Sequence, residues 1–279
     1  MVSPGSLPMR AHFYLLLTLG LYAVGAVRVA LEALTRKRLL TRGAVAAAVA
    51  GFAVHTAAIS QRWNEAGRFP AVGLHDGTSL LAWLIVLVYL MTYVRRGFDA
   101  LGLVAYPAAF VLVMVAALVP PAPDTDPLLN SVFFPVHVTL AFLGYAALFV
   151  AFAMGLLYLV QEQELKSRSP RAFYYIVPSL ESCDTISGHS VMVGFGFLTL
   201  AIVTGVLWSH HAHGRYLSGD LKEATAFLAW GIYVGLLITR WRTGWGGRRA
   251  ALMGIVGFAA VALLFVWTTM LSDVAGVTR

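Results

Sequence analysis

Eight apolar runs, each approaching or exceeding the roughly 20 residues that a helix needs to cross a bilayer, constrain this chain more than any other feature. They fall at 12–34, 43–59, 79–94, 101–119, 131–160, 186–208, 224–239 and 250–271. Lipid offers no partner to a backbone N–H or C=O, so a spanning run must pair its own backbone as a helix. The expectation is an all-α, polytopic transmembrane bundle of eight spans, a single integral membrane domain over 1–279 with no soluble domain. The composition agrees: 59% of residues are hydrophobic and 12% charged, with mean hydropathy +0.77, well outside the range of ordinary soluble chains. The fifth run is longer than a bilayer requires, so it either tilts or continues as a helix through QEQELKSR. The first run lacks a small-residue cleavage site and reads as a retained helix.

The polar connections alternate in charge. Arg36, Lys37, Arg38 and Arg42 follow run one, and Arg95 and Arg96 follow run three. Lys166, Arg168 and Arg171 follow run five, and Arg240, Arg242, Arg248 and Arg249 follow run seven. The other connections hold only Arg62, Arg68, Arg215 and Lys222, and PPAPDTDP has no cation. Because Lys and Arg collect on the cytoplasmic side, both termini and the even-numbered loops are expected to face outward across the cytoplasmic (inner) membrane. The net charge of +7 then belongs to a membrane edge rather than to a nucleic-acid interface.

Several chemistries are excluded. Cys183 is the only cysteine, which leaves no internal disulfide, CxxC pair or thiolate cluster. No nucleophile elbow, P-loop or HExxH occurs, so nothing points to hydrolysis or nucleotide use.

The histidines carry what signal remains. In the expected topology seven of the eight lie on the outer side or outer half of the bilayer, and only His189 lies near the inner end. His55 and His137 sit inside spans two and five, where an ionisable side chain is costly and tends to face the bundle or a cavity. Each is either a packing histidine bonded to a neighbouring Ser or carbonyl, or an imidazole ligand for haem iron or another metal. Trp63 and Tyr145 follow them at eight residues and share their helix faces if the helices run on. His210, His211 and His213 crowd the stretch after span six. His210 and His213 point the same way on a helical turn, while a solvated polar loop is the plainer reading. His75 beside Asp76 is either an oriented ligand or part of a helix start in His-Asp-Gly-Thr-Ser.

The chain also resembles a known family. The carrying segments are HVTLAFLGYA (137–146), PSLESCD (178–184), GFGFLTLAIVTGVLW (194–208), GRYLSGDLKEA (214–224) and GWGGRRAA (244–251), with RWNEAGRFP after His55. In order and spacing they are similar to the cytochrome c assembly family, which includes the CcsA, CcmC and HemX-type proteins. The resemblance implies a haem-handling protein. An outer loop, here 209–223 within a core at 131–271, holds the porphyrin, and outer histidines ligate the iron. His137 matches the outer axial histidine and His55 the histidine of an early span. Asp220, Lys222 and Glu223 match the loop's acidic and Lys-Glu positions. His213, Leu217 and Gly219 stand where the family loop has tryptophans, Leu221 replaces its proline, and the tail SDVAGVTR lacks a histidine. These departures bring the chain nearest the shorter HemX-type members.

The implied function is to bind or present haem, of b-type, at the outer face for cytochrome c assembly, without catalytic turnover of its own. The haem would rest against the loop around His213, with His137 as axial ligand and His210 or His211 able to replace lost ligands. The implied partners are an assembly subunit or the apocytochrome, besides the bilayer. The alternative is a HemX-like regulatory or scaffold protein that binds a cytoplasmic partner through its basic loops and requires no haem. A transporter is disfavoured by the lack of broken helices or an internal repeat.

Overall fold

The computed structural model describes residues 9–35, 39–96, 99–122, 129, 131–167, 174, 176–217, 219, 221–244 and 246–277. Each apolar run maps onto one helix: α1 (Met9–Thr35), α2 (Leu39–Ala66), α3 (Gly73–Arg96), α4 (Gly102–Leu118), α5 (Phe133–Lys166), α6 (Leu180–His213), α7 (Leu221–Thr243) and α8 (Gly247–Val277). A 3-10 turn at Asp99–Leu101 leads into α4, and no strand occurs among the described residues. All eight helices are long and apolar enough to cross a membrane. Most outrun their apolar runs, because a helix's hydrogen bonds continue past the point where lipid ends. At 34 residues, α5 spans about 51 Å at 1.5 Å per residue and does continue through the polar QEQELK.

The helices fall into two compact units, one of residues 1–124 and 163–178, the other of 125–162 and 179–279. In the first, small residues let helices approach a set of buried tyrosines. A Cβ at Gly51 would lie 2.6 Å from Cε1 of Tyr22, and one at Gly102 would lie 3.2 Å from Cε2 of Tyr89. The Tyr106 ring lies against Gly25, and its hydroxyl donates to the carbonyl of Ala44. Tyr22, Tyr89 and Tyr106 are all buried.

The second unit is built on glycine crossings. Between α5 and α6, a Cβ at Gly194 would lie 3.2 Å from the Gly144 carbonyl, and one at Gly144 would lie 3.3 Å from that of Gly194. Between α5 and α8, Gly155 and Gly254 do the same, at 2.7 Å from Ala251 O and 3.3 Å from Ala151 O. Leu148, Ala151, Val191, Leu198, Ala229, Tyr233, Leu237 and Val261 fill the space between. Removing a side chain from such a cluster leaves a cavity that costs about 2–5 kcal/mol for Leu→Ala. Ser179 caps α6 by accepting from the Ser182 N–H at 3.3 Å. An ion pair between Arg240 and Asp184 (3.2 Å) fastens α7 to the same end.

One sequence expectation is corrected here. The stretch from Ser209 to His213 is the last turn of α6, not part of a loop. The helix ends where Gly214 takes a left-handed conformation (φ 69°) and donates its N–H to the His210 carbonyl, a stop that glycine makes without a Cβ penalty. The connection to α7 is therefore 214–220 rather than 209–223. Hydropathy marked where the apolar run ended; backbone geometry ended the helix one and a half turns later.

Candidate functional site

The α5 helix starts at a serine. Ser131 Oγ accepts the Phe133 N–H at 3.3 Å, and Pro135 sits in the first turn, where its missing N–H costs nothing. That start places His137 one turn into the helix, facing α6. Its Nδ1 lies 2.7 Å from the Ala201 carbonyl. A carbonyl oxygen can only accept, so Nδ1 carries the proton and Nε2 holds the lone pair. Nε2 makes no hydrogen bond among the described residues, and His137 is half-buried.

Glycine makes this seat possible. A Cβ at Gly205 would lie 2.9 Å from Cε1 and 3.0 Å from Nδ1 of His137, so a side chain there would force the imidazole or the helix contact to shift. Three residues on, Trp208 lies beside the imidazole, ring centroids 6.1 Å apart and tilted by 36°, and packs on Phe134 at 5.5 Å. A neutral imidazole whose Nδ1–H is held by a backbone carbonyl, with Nε2 open, is the form in which histidine ligates a metal. The residues present at His137 fit an iron ligand.

His55 has a different setting. It is 0% exposed; its Nδ1 lies 3.2 Å from the Tyr22 hydroxyl and its Nε2 lies 3.0 Å from Ser79 Oγ. Hydroxyls donate or accept, so both contacts are satisfied in either tautomer. Neither nitrogen is open, and the residues around His55 do not fit an iron ligand in this arrangement. The bond to Ser79 is the kind of contact that the packing reading of His55 called for.

The terminal turn of α6 divides its histidines. His211 lies 5.5 Å from the ring of Phe133, one turn before His137 on α5. His210 instead meets Tyr216 edge-on at 4.2 Å. His213 closes the helix, and Asp220 lies outside the described residues. Lys222 is exposed in the first turn of α7, while Glu223 accepts the Gly219 N–H at 2.9 Å and caps that helix. Among the described residues, no three His, Cys, Asp or Glu side chains converge as a multi-ligand metal site would require.

His75 Nε2 lies 3.9 Å from Asp76 Oδ1, a longer contact than either residue makes elsewhere. Arg62 grips Asp76, Nε to Oδ1 at 3.0 Å and Nη2 to Oδ2 at 3.4 Å, with Asp76 in the first turn of α3, where the helix dipole favours a carboxylate. His75 Nδ1–H donates to the Val119 carbonyl at 3.0 Å. His189 is exposed. Sequence reasoning did not single out Gly205, Trp208 or the Ala201 carbonyl. The signal was present as a Gly and a Trp three apart at the end of GFGFLTLAIVTGVLW, on the face that meets His137.

Comparisons with known proteins bear on the same region. The family model described as Cytochrome C assembly protein matches residues 74–274, which takes in His137, Gly205 and Trp208 but not His55. The cytochrome c biogenesis protein CcsA of Synechococcus sp. (strain CC9902) is 30% identical over 242 residues, covering 77% of this chain and 80% of its own. CcsA of Prochlorococcus marinus (strain MIT 9301) is 31% identical over 236 residues, covering 75% of this chain and 76% of its own. CcsA of Chlamydomonas reinhardtii is 28% identical, covering 76% of this chain and 61% of its own. Among solved structures, the cytochrome c haem lyase CcmF superposes with a TM-score of 0.66 over 98% of this chain at 18% identity. This chain spans 48% of that protein's length, and the likeness is one of fold.

Proposed function

Because this chain belongs to the cytochrome c assembly protein family, we propose that it is a membrane haem-handling protein which presents haem at the end of α5 and α6. The observation that carries the reading is the His137 seat: Nδ1–H fixed on Ala201 O at 2.7 Å and Nε2 left open. Haem would supply the iron that Nε2 ligates. The chain's own residues orient the imidazole, fix its tautomer and, through Trp208 and Phe134, offer flat apolar surface to a porphyrin. The second ligand comes from His210, His211 or His213 at the end of α6. His211 has the strongest support, because it shares the α5-facing seam. The presented haem is b-type, bound without a covalent link. Lys222 and Asp220 are proposed to contact the propionates or their neighbours.

The charge alternation supports an outward orientation of this end in the cytoplasmic membrane, with an apocytochrome or a second assembly subunit as partner. Nearness to the HemX-type members is proposed from the shortness of the 214–220 connection, which leaves little room for a large porphyrin-holding loop. Reporter fusions after Arg38 and after Pro121 should give opposite location signals; the same signal at both would overturn the orientation. For the function itself, detergent-purified protein titrated with haemin should develop a low-spin Soret and α band that His137→Ala lacks. A folded wild-type protein with no such band would overturn the haem-presenting reading in favour of a scaffold.

A further inference from the structure

Tryptophans inside apolar helices generally find an acceptor for the indole N–H, since an unmade buried hydrogen bond is costly. This chain follows the rule twice. Trp83 Nε1 donates to Thr56 Oγ1 at 2.9 Å, and Trp230 Nε1 donates to Thr199 Oγ1 at 3.0 Å. Trp208 breaks it: its Nε1 is buried and has no partner among the described residues. The adjacent Ser209 Oγ is likewise buried and unpartnered. Helical threonines here turn their hydroxyls back onto a preceding carbonyl, as Thr199 does onto Phe195 O (2.8 Å) and Thr204 onto Leu200 O (2.9 Å). Ser209 does not.

The two orphan donors are next to one site. Trp208 and Ser209 follow Gly205 by three and four residues, so both flank the line of α6 that Gly205 lays against His137. Trp208 also touches the imidazole ring itself. An indole N–H donates only, so whatever it meets must be an acceptor. Two donors on successive residues suit a carboxylate, whose two oxygens accept from separate directions.

We propose that Trp208 and Ser209 form a carboxylate-binding subsite beside His137 that takes a propionate of the porphyrin. This rests on the haem-handling reading and adds to it. His137 would select for the metal; Trp208 and Ser209 select for the free acid and fix which edge of the ring points into the protein. Lys222 is exposed at the surface, whereas these donors are buried, so they would act where a hydrogen bond to a charged group is strongest.

The test compares haemin with its dimethyl ester, and metal-free protoporphyrin IX with its dimethyl ester, on full-length purified protein. Wild type should bind each free acid about tenfold more tightly than its ester, the weight of one charge-assisted hydrogen bond. Trp208→Phe, which keeps a ring against Phe134, should lose most of that preference, read as the acid-to-ester affinity ratio within the variant. Ser209→Ala should lose part of it. A Trp208→Phe variant that keeps the full acid preference overturns the subsite. The metal-free pair separates the two readings: failure of haemin to give a low-spin band sinks the iron-ligand reading, while the acid-over-ester preference, read without iron, decides the subsite independently.

Discussion

His55 and His137 look alike in sequence, each an isolated imidazole in an apolar span, and the two units of the molecule treat them in opposite ways. In the first unit the imidazole is closed: hydroxyls from Tyr22 and Ser79 occupy both nitrogens and no surface is exposed. In the second it is half-open. One backbone carbonyl fixes a single nitrogen, a glycine seats the ring, and an aromatic residue lies beside it. The lesson is that a membrane-embedded histidine declares its role by what holds each nitrogen. A hydroxyl satisfies an imidazole without fixing its tautomer. A carbonyl fixes the tautomer and leaves the other nitrogen to a ligand.

The largest effect should come from the two histidines themselves. His137→Ala is expected to abolish the low-spin haem spectrum, whereas His55→Ala should retain it in whatever protein accumulates. Equal loss in both variants, measured per mole of folded protein, would erase the distinction. Nearly as large is the effect of the α6 terminus. No single Ala substitution at His210, His211 or His213 should remove the signal fully, with His211→Ala the most severe; the triple change should match His137→Ala. An intact spectrum in the triple variant would show that the second ligand comes from elsewhere.

Gly205→Ala probes the seat without touching the ligand. The added Cβ forces the imidazole or the helix contact to shift, and loss of the fixed orientation should weaken haemin binding by about 10- to 100-fold, as second-shell changes do. Binding unchanged within error would mean that the Ala201 carbonyl is not what orients His137. The smallest effect belongs to the first unit. His55→Ala leaves the Tyr22 and Ser79 hydroxyls without their shared partner and should lower stability by about 1–3 kcal/mol. Tyr22→Phe, with one hydrogen bond lost, should cost about 1 kcal/mol. Thermal melts in detergent read both, and a His55→Ala protein as stable as wild type would argue that the closed imidazole is kept for something other than packing.

The number of spans and the all-helical fold were legible in the sequence because lipid leaves an apolar run no choice but to become a helix. Resemblance in six short segments was enough to name the family. His137 was legible as a candidate for the same reason as His55, and the sequence had no means of separating them. Hydropathy alone puts a loop at the α6 terminus, since it reports where lipid ends and not where a left-handed glycine stops the helix.

What hydropathy, charge alternation and family likeness could supply was the solvent each segment meets, because that depends on neighbours along the chain. What the tertiary structure decided was which polar atoms are satisfied. The partners of His55 lie 33 and 24 residues away at Tyr22 and Ser79, and that of His137 lies 64 residues away at Ala201. Trp83 and Trp230 each find a threonine hydroxyl on another helix, and Trp208 has no such partner among the described residues. Helix crossings at glycines set these distances, and at short range a hydrogen bond gained or missed separates a packing residue from a binding one.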